Sequence, residues 1–248
     1  MSLKKEGLEL IYSGKTKDVY KYDDSTILLY SKDCVTGWKV KNPDGSISII
    51  EDPGANEVIG EIVGIGQKNL VSSAYYFDKF TMAGIQNHFI EADFESKIMR
   101  VKKATPVGKG LECIVRFKAM GSILRTYPDY LVKGQILHDF FEITTKNDEA
   151  GDPRISKELL LNPDLGPIMN EQQYEEAKKI SLSAAKLIYD DLAKYGYELL
   201  DIKFEIGIVD EKIILIDEVS AGIMRVFKGE VPLSEDELAD LFSEIAKS

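Results

Sequence analysis

Cysteine is scarce. Cys34 and Cys113 are the only two, too few for a disulfide framework, and they fit buried thiols in a reducing cytoplasm. Histidine is as rare: His88 and His138 lie in separate segments, which argues against a zinc cluster and against a Ser-His-Asp triad. The GxSxG, HExxH, CxxC and GxGxxG signatures are all missing. Basic residues are the minority, 31 Lys and Arg against 42 Asp and Glu, for a net charge of -11. A surface of that sign gains nothing from counterion release, so nucleic acid is not an expected partner. No run approaches the roughly eighteen apolar residues of a membrane span. Met1 is followed by Lys4, Lys5 and Glu6 rather than by an apolar leader, so neither a signal peptide nor a membrane partner is expected.

What is present is ordinary for a globular chain of 248 residues: 44% hydrophobic and 29% charged. The first third is rich in β formers. Strands are expected over 8–12, 15–22 and 26–30, then over 38–40 and 46–50 around the turn signal Asn42-Pro43-Asp44-Gly45. Helical patterns follow over 55–66 and 72–82, the second stopping at Gly84. Further strands are expected over 88–91, 97–102 and 111–118. A long amphipathic helix is predicted over 171–194, with Asn170 as N-cap and Gly196 at its close. A last helix over 234–246 opens on the capping-box sequence Ser234-Glu235-Asp236-Glu237. Residues 147–169 read as a long loop, a length that often carries function. The expected fold class is α+β, a β-rich N-terminal domain over 1–85 followed by an α+β domain over 86–248.

The most telling chemistry lies near the C-terminus. Asp201-Ile202-Lys203-Phe204-Glu205 begins an apolar run that turns at Asp210 to Lys212 and returns to Asp217-Glu218, the pattern of a β-hairpin. Alternation puts Asp201, Lys203 and Glu205 on one face and Ile202, Phe204 and Ile206 on the core face. With a three-residue loop, Glu205 faces Asp217 directly. Like charges so placed repel, and a divalent cation with oxygen ligands, such as Mg2+, resolves the repulsion. The alternative is a solvated hairpin face. In Ser13-Gly14-Lys15-Thr16-Lys17 the two lysines share a face at period two, suited to a phosphate chain, or else stand as solvated charges on an exposed strand. Arg116 ends a strand just before a Gly121-Ser122 turn, where an arginine fork and backbone N–H groups form an anion site or merely precede a helix cap. Lys146 to Pro153 is a polar turn whose acids either meet a ligand or solvate the loop.

Taken in order, these segments resemble the SAICAR synthetase family. The match is carried by Gly14 to Tyr20, Ile85 to Phe89, Cys113 to Ser122, Lys146 to Pro153, Leu200 to Gly207, and Asp217 to Ser220 through Arg225. The resemblance implies two domains with ATP held between them, similar to protein kinases and ATP-grasp enzymes. It implies an ATP- and Mg2+-dependent ligase that phosphorylates the carboxylate of carboxyaminoimidazole ribotide (CAIR) and lets the amine of aspartate displace the phosphate. By resemblance Lys15 and Lys17 contact ATP phosphates, and Glu205 and Asp217 lie at Mg2+ and nucleotide. Arg116, Ser122 and Arg225 hold the phosphorylated substrate, with Ser220 in the adjoining motif. Asp201 and Lys203 form an active-site pair, and Lys146 and Asp152 border the substrate. A homodimer or higher homo-oligomer is implied as well.

Four departures from the family pattern stand out. Trp38 falls near a position that is usually polar or acidic. Asp217-Glu218-Val219-Ser220-Ala221-Gly222 lacks the usual proline and second acid, and 232–239 lacks the usual basic residues. A hairpin over 39–52 is extra, and its Asp44, Glu51 or Asp52 are candidates to supply the lost acids. The pattern fits a true SAICAR synthetase, a paralogous carboxylate–amine ligase with a changed substrate, or a nucleotide-binding protein that no longer ligates.

Overall fold

A computed structural model of the chain describes residues 2–51, 55, 57–166 and 168–247; Asp52 lies outside them. By packing, the chain divides into two units that are not sequential. The first takes Met1–Lys103, Glu218–Ile223 and Leu233–Ser248, and the second takes Ala104–Asp217 and Met224–Pro232. The first unit thus runs past residue 85, where composition placed a division.

The first unit contains β1 (Leu10–Ser13), β2 (Lys17–Lys21), β3 (Thr26–Ser31), β4 (Cys34–Lys41), β5 (Ile47–Glu51), β6 (Glu57–Glu61), α1 (Ile65–Met82), β7 (Phe89–Asp93) and β8 (Ile98–Lys102). The second contains β9 (Thr105–Pro106), β10 (Leu111–Lys118), α2 (Ser122–Thr126), β11 (Ile136–Thr145), α3 (Lys157–Leu160), α4 (Glu171–Ala193), β12 (Glu198–Val209), β13 (Lys212–Ile216), β14 (Met224–Lys228) and β15 (Val231–Pro232). The chain then closes with α5 (Glu235–Ile245), which belongs to the first unit.

In the first unit, β1-β2-β3-β8-β7 form an antiparallel sheet and β5-β4-β6 a smaller one. The hairpin around Asn42 forms as expected, with Gly45 in the left-handed region at φ 86 and its N–H bonded to Asn42 O at 2.9 Å. The helix expected over 55–66 does not form. Val58 and Ile59 are β-branched and Gly60 weakens a helix, so Glu57–Glu61 pairs with β4 as a strand instead. Helix α1 begins at Ile65, earlier than the expected 72, because Asp33 Oδ1 accepts the Gly66 N–H at 3.0 Å. Burial alone would raise the Asp33 pKa, but Lys97 and the N–H groups of Gly66 and Gly64 outweigh it and hold the carboxyl below its ordinary range. At the other end, Ile85 N–H bonds Phe80 O at 2.8 Å and Gly84 N–H bonds Thr81 O at 3.1 Å, the paired bonds of a Schellman close. The core of this unit lies between α1 and α5, where Tyr76 meets Phe242 edge-on at 5.3 Å.

In the second unit, β11-β10-β12-β14-β15 form a sheet, with β13 and β9 also paired to β12. Helix α4 opens on a complete capping box, Asn170 with Gln173. It ends with Tyr197 N–H on Leu192 O and Gly196 N–H on Ala193 O, both at 3.1 Å, and Gly196 at φ 78. It buries Ala177, Ala184, Ala185, Ile188 and Leu192 and packs against β10, β12 and β13. Opposite it, Ile202, Phe204 and Ile206 are each 1% exposed, worth about 1.5–3 kcal/mol apiece. Strand β11 was not expected: its first half is mostly exposed and its alternation is broken at His138 and Asp139, both at positive φ. The predicted loop over 147–169 holds α3 and two 3-10 turns, with Ser156 capping α3 through Leu159 N–H at 3.2 Å.

Candidate functional site

The polar face of the second unit follows from strand register. Antiparallel pairing sets Glu112 opposite Glu205 and Arg116 opposite Asp201. From β11, Thr144 stands opposite Glu112, and from β14, Arg225 stands opposite Asp201. Behind this face, Cys113 and Val115 join Ile202 and Phe204 against the helix side. Burial pushes the Cys113 thiol up to about 12, so it is neutral and unreactive at physiological pH.

Acids that face acids here are separated by lysines. Lys203 donates to Glu112 Oε1 at 2.7 Å, and Thr144 Oγ1 donates to Glu112 Oε2 at 3.0 Å. Lys146, from the polar turn after β11, pairs with Glu205. Glu205, which the hairpin argument set against a second acid, is thus met by a lysine of the chain itself. Asp201 accepts two bonds from Arg225 Nη1, at 3.0 and 2.8 Å, and one from Arg116 Nη1 at 2.7 Å.

Arg116 is 2% exposed. Its Nε donates to Glu142 Oε1 at 2.9 Å, its Nη1 to Asp201 and to Met120 O at 3.2 Å, and its Nη2 to Ser122 Oγ at 3.1 Å. The guanidinium expected to open on a substrate phosphate is therefore buried, with its nitrogens engaged inside the unit. Ser122 and Arg225 are the less buried members of the group. Gly121 is required beside them. It stands at φ 67 with ψ -134, and a Cβ there would lie 2.7 Å from Arg225 Nη2.

The hairpin differs from its prediction by one residue. Asp210 and Glu211, at φ 49 and 66, make a two-residue turn of the I′ kind, and Val209 pairs with Lys212. Glu205 consequently pairs with Ile216, and Asp217 follows β13 at φ 69. The two acids stay adjacent in register without facing each other. Among the described residues no group of three or more His, Cys, Asp or Glu side chains is placed to hold a metal. Two carboxylates suit Mg2+, which is commonly held by one or two acids with waters and substrate phosphates completing the octahedron.

The other predicted residues distribute as follows. Strand β2 starts at Lys17, so Lys15 lies in the bend before it and the two lysines do not share a face by strand alternation. Gly14 N–H bonds Lys17 O at 2.7 Å, and Lys17 pairs with Glu218. Ser220 is fully buried, and its hydroxyl has no hydrogen-bond partner among the described residues. Its segment is tied to α1 by Ser72 Oγ donating to Val219 O at 2.8 Å and Val219 N–H donating to Ser73 Oγ at 3.1 Å. A Cβ on Gly222 would meet Glu235 Oε1 at 3.0 Å, so an acid from α5 stands where that motif lacks one, and Asp44 is instead engaged by Ser46 N–H at 2.9 Å. Trp38 is on β4, 40% exposed. Asp152 Oδ1 accepts Asn147 N–H at 2.7 Å and shapes the polar turn. Glu112 and Glu142 were missed by sequence reasoning. Glu112 had a signal in the alternation of Glu112, Ile114 and Arg116, whereas Glu142 lies on the strand that was not expected.

The family model for SAICAR synthetase matches residues 54–237. The phosphoribosylaminoimidazole-succinocarboxamide synthase of Clostridium tetani is 39% identical over 223 residues, 89% of this chain and 93% of that protein. The synthase of the same name from Finegoldia magna is 30% identical over 224 residues, 89% of this chain and 86% of that one. Among solved structures, a SAICAR synthetase (Type-2) in complex with ADP superposes with a TM-score of 0.75 at 26% identity, covering 96% of each chain. Among the described residues no helix is long and apolar enough to cross a membrane.

Proposed function

The chain belongs to the SAICAR synthetase family, and from that premise we propose that it joins CAIR to L-aspartate with hydrolysis of ATP to ADP and phosphate. The observation that carries this is the 39% identity to a named synthase along nearly the whole of both chains, and a polar face on which Arg116, Asp201 and Arg225 stand side by side supports it. A carboxylate is a poor acyl donor. Transfer of the γ-phosphoryl of ATP to it creates a leaving group, and the aspartate amine then attacks the acyl carbon and expels phosphate. Such chemistry needs positioning and charge neutralisation more than covalent help from the protein.

In this reading Lys15 and Lys17 bind the ATP phosphates. Ser122 and Arg225 hold the phosphate of the ribotide, and Arg116 positions both from below, through its bonds to Ser122 and Asp201. Lys203, oriented by Glu112, neutralises the substrate carboxylate. Lys146 and Asp152 shape the edge of the substrate site, with Trp38 and Ser220 as further substrate-side residues. Glu205 and Asp217 would hold Mg2+, which supplies charge neutralisation for the transferred phosphoryl group. The protein works in the cytoplasm as a homodimer or higher homo-oligomer, which sedimentation would test.

The deciding experiment measures ADP release with Mg2+-ATP, CAIR and aspartate and weighs the product. A succinocarboxamide at an ordinary enzymatic rate supports the proposal. ATP turnover only with a different carboxylate or amine would replace it with the paralogous-ligase reading.

A further inference from the structure

Lys32, the first residue past β3, extends the pairing of β2 with β3 by one more bond. Lys17 pairs with Ser31, and Lys32 N–H donates to Thr16 O at 2.8 Å. In the adjoining β1–β2 hairpin, Ser13 pairs with Asp18, and Gly14 N–H donates to Lys17 O at 2.7 Å. Only Lys15 and Thr16 are left to make the tip that joins β1 to β2.

The Lys32 side chain returns to the same hairpin. Its Nζ donates to Gly14 O at 2.8 Å and to Ser13 Oγ at 3.0 Å, and it pairs with Asp18 Oδ1 at 2.7 Å. Ser13 Oγ donates in turn to that Asp18 oxygen at 2.6 Å, which closes a ring of three side chains. Burial alone would raise the Asp18 pKa, but Lys32 and Ser13 outweigh it and hold the carboxyl below its ordinary range, so Asp18 is ionised at neutral pH. An ammonium group has three protons to donate, and here all three go to the hairpin. The side chain is also only 23% exposed. Lys32 therefore has no donor to offer a ligand. What it controls is the tip, which it holds by its main-chain N–H and its ammonium at once.

We infer that Lys32 is a positioning residue, which pre-sets the turn that carries Lys15 and leads into Lys17 for the polyphosphate of a nucleoside triphosphate. Asp18 cancels its charge, so Lys32 fixes the turn without adding to the local charge. A turn that is already fixed leaves less ordering to be met when the nucleotide arrives. The inference rests on the proposed function for the assignment of Lys15 and Lys17 to ATP phosphates, but not for the ligation that follows.

The test measures Mg2+-ATP binding by calorimetry, and the KM for CAIR, in full-length Lys32→Met, Lys32→Arg and Ser13→Ala, each first checked for cooperative melting. Lys32→Met weakens ATP binding about tenfold, the order expected when the ligand itself must order a short segment, and leaves the KM for CAIR unchanged. Lys32→Arg keeps the charge and regains most of the loss. Ser13→Ala removes one of the three acceptors and weakens ATP binding about threefold. An unchanged ATP affinity in Lys32→Met, an equal rise in its KM for CAIR, or no recovery in Lys32→Arg overturns the inference. Where Lys32→Met does not fold, Ser13→Ala decides, and wild-type ATP affinity in that variant overturns the inference. If the wild type binds ATP but forms no product with CAIR, the proposed function fails and the ATP affinities alone decide this inference. A wild type that binds no ATP overturns both.

Discussion

The polar face of the second unit has two ends that use the same chemistry to opposite purpose. At one end Arg116 is 2% exposed and is held by Glu142, Asp201, Ser122 and a backbone carbonyl. At the other, Lys146 is 45% exposed and meets Glu205, itself 21% exposed. An exposed pair of this kind is worth about 0–1 kcal/mol because water competes for both charges. Removing one partner of a buried pair costs about 3–5 kcal/mol because the other charge is stranded. The closed end is therefore set when the chain folds and acts as a frame. The open end can exchange its lysine for a ligand without disturbing the fold, as the proposed Mg2+ and nucleotide assignment of Glu205 requires.

The contrast is broken most severely at the closed end. Arg116→Ala leaves Asp201 with Arg225 alone and Glu142 with Arg154 alone and empties a buried site, and a loss of about 3–5 kcal/mol is expected in urea unfolding; an unshifted midpoint would mean that this end is not closed at all. At the open end, Glu205→Gln and Asp217→Asn should each cut ADP formation by about 100-fold or more, with urea midpoints close to that of the wild type. Full activity in either variant would remove the Mg2+ assignment, and melting in place of inactivity would make this end structural too. Arg225→Ala lies between the extremes. It should raise the KM for CAIR by about 10- to 100-fold while sparing the KM for ATP, and equal effects on both would count against its role.

The smallest effect concerns pH. Burial pushes the Cys113 thiol from an ordinary 9.0 to about 12. Above pH 9 the unfolded chain releases this proton while the folded chain keeps it. The stabilisation is complete below pH 9 and is lost as pH rises toward 12. Cys113→Ala should flatten the alkaline slope of stability relative to the wild type, measured by urea midpoints from pH 8 to 10.

Legibility from sequence followed the range of the forces involved. Helix α4 and helix α5 were readable because Asn170 with Gln173 and Ser234 with Glu237 are local capping boxes. The alternation of Asp201 to Ile206 was readable because a strand has period two. Helix α1 was half readable: its Gly84 close is local, but its start depends on Asp33, which is brought to Gly66 by the fold. Strand β11 was hidden because its pairing partner decides it, and strand β6 because its β-branched Val58 and Ile59 were read as part of a helical stretch. Within the site, the residue types on one face were legible, but their partners were not. Glu205 was expected opposite Asp217 and lies opposite Ile216, because one residue fewer in the turn shifts the whole register. Lys146, which answers Glu205, arrives from the turn after β11, and Glu112, which Lys203 answers, from β10.

The interleaving of the two units has a consequence for the order in which the protein is made. Helix α1 appears early on the ribosome, yet the helix that covers it, with Leu238, Ala239, Phe242 and Ile245 buried, is made after every element of the second unit. The second unit is nearly contiguous, from Ala104 to Asp217 with only Met224–Pro232 to follow, and its helix and strands can pack as soon as they emerge. The part begun first is thus finished last, and until α5 is released the apolar side of α1 waits uncovered. A nascent chain halted before residue 234 should bind chaperones through α1 even though its second unit is already folded.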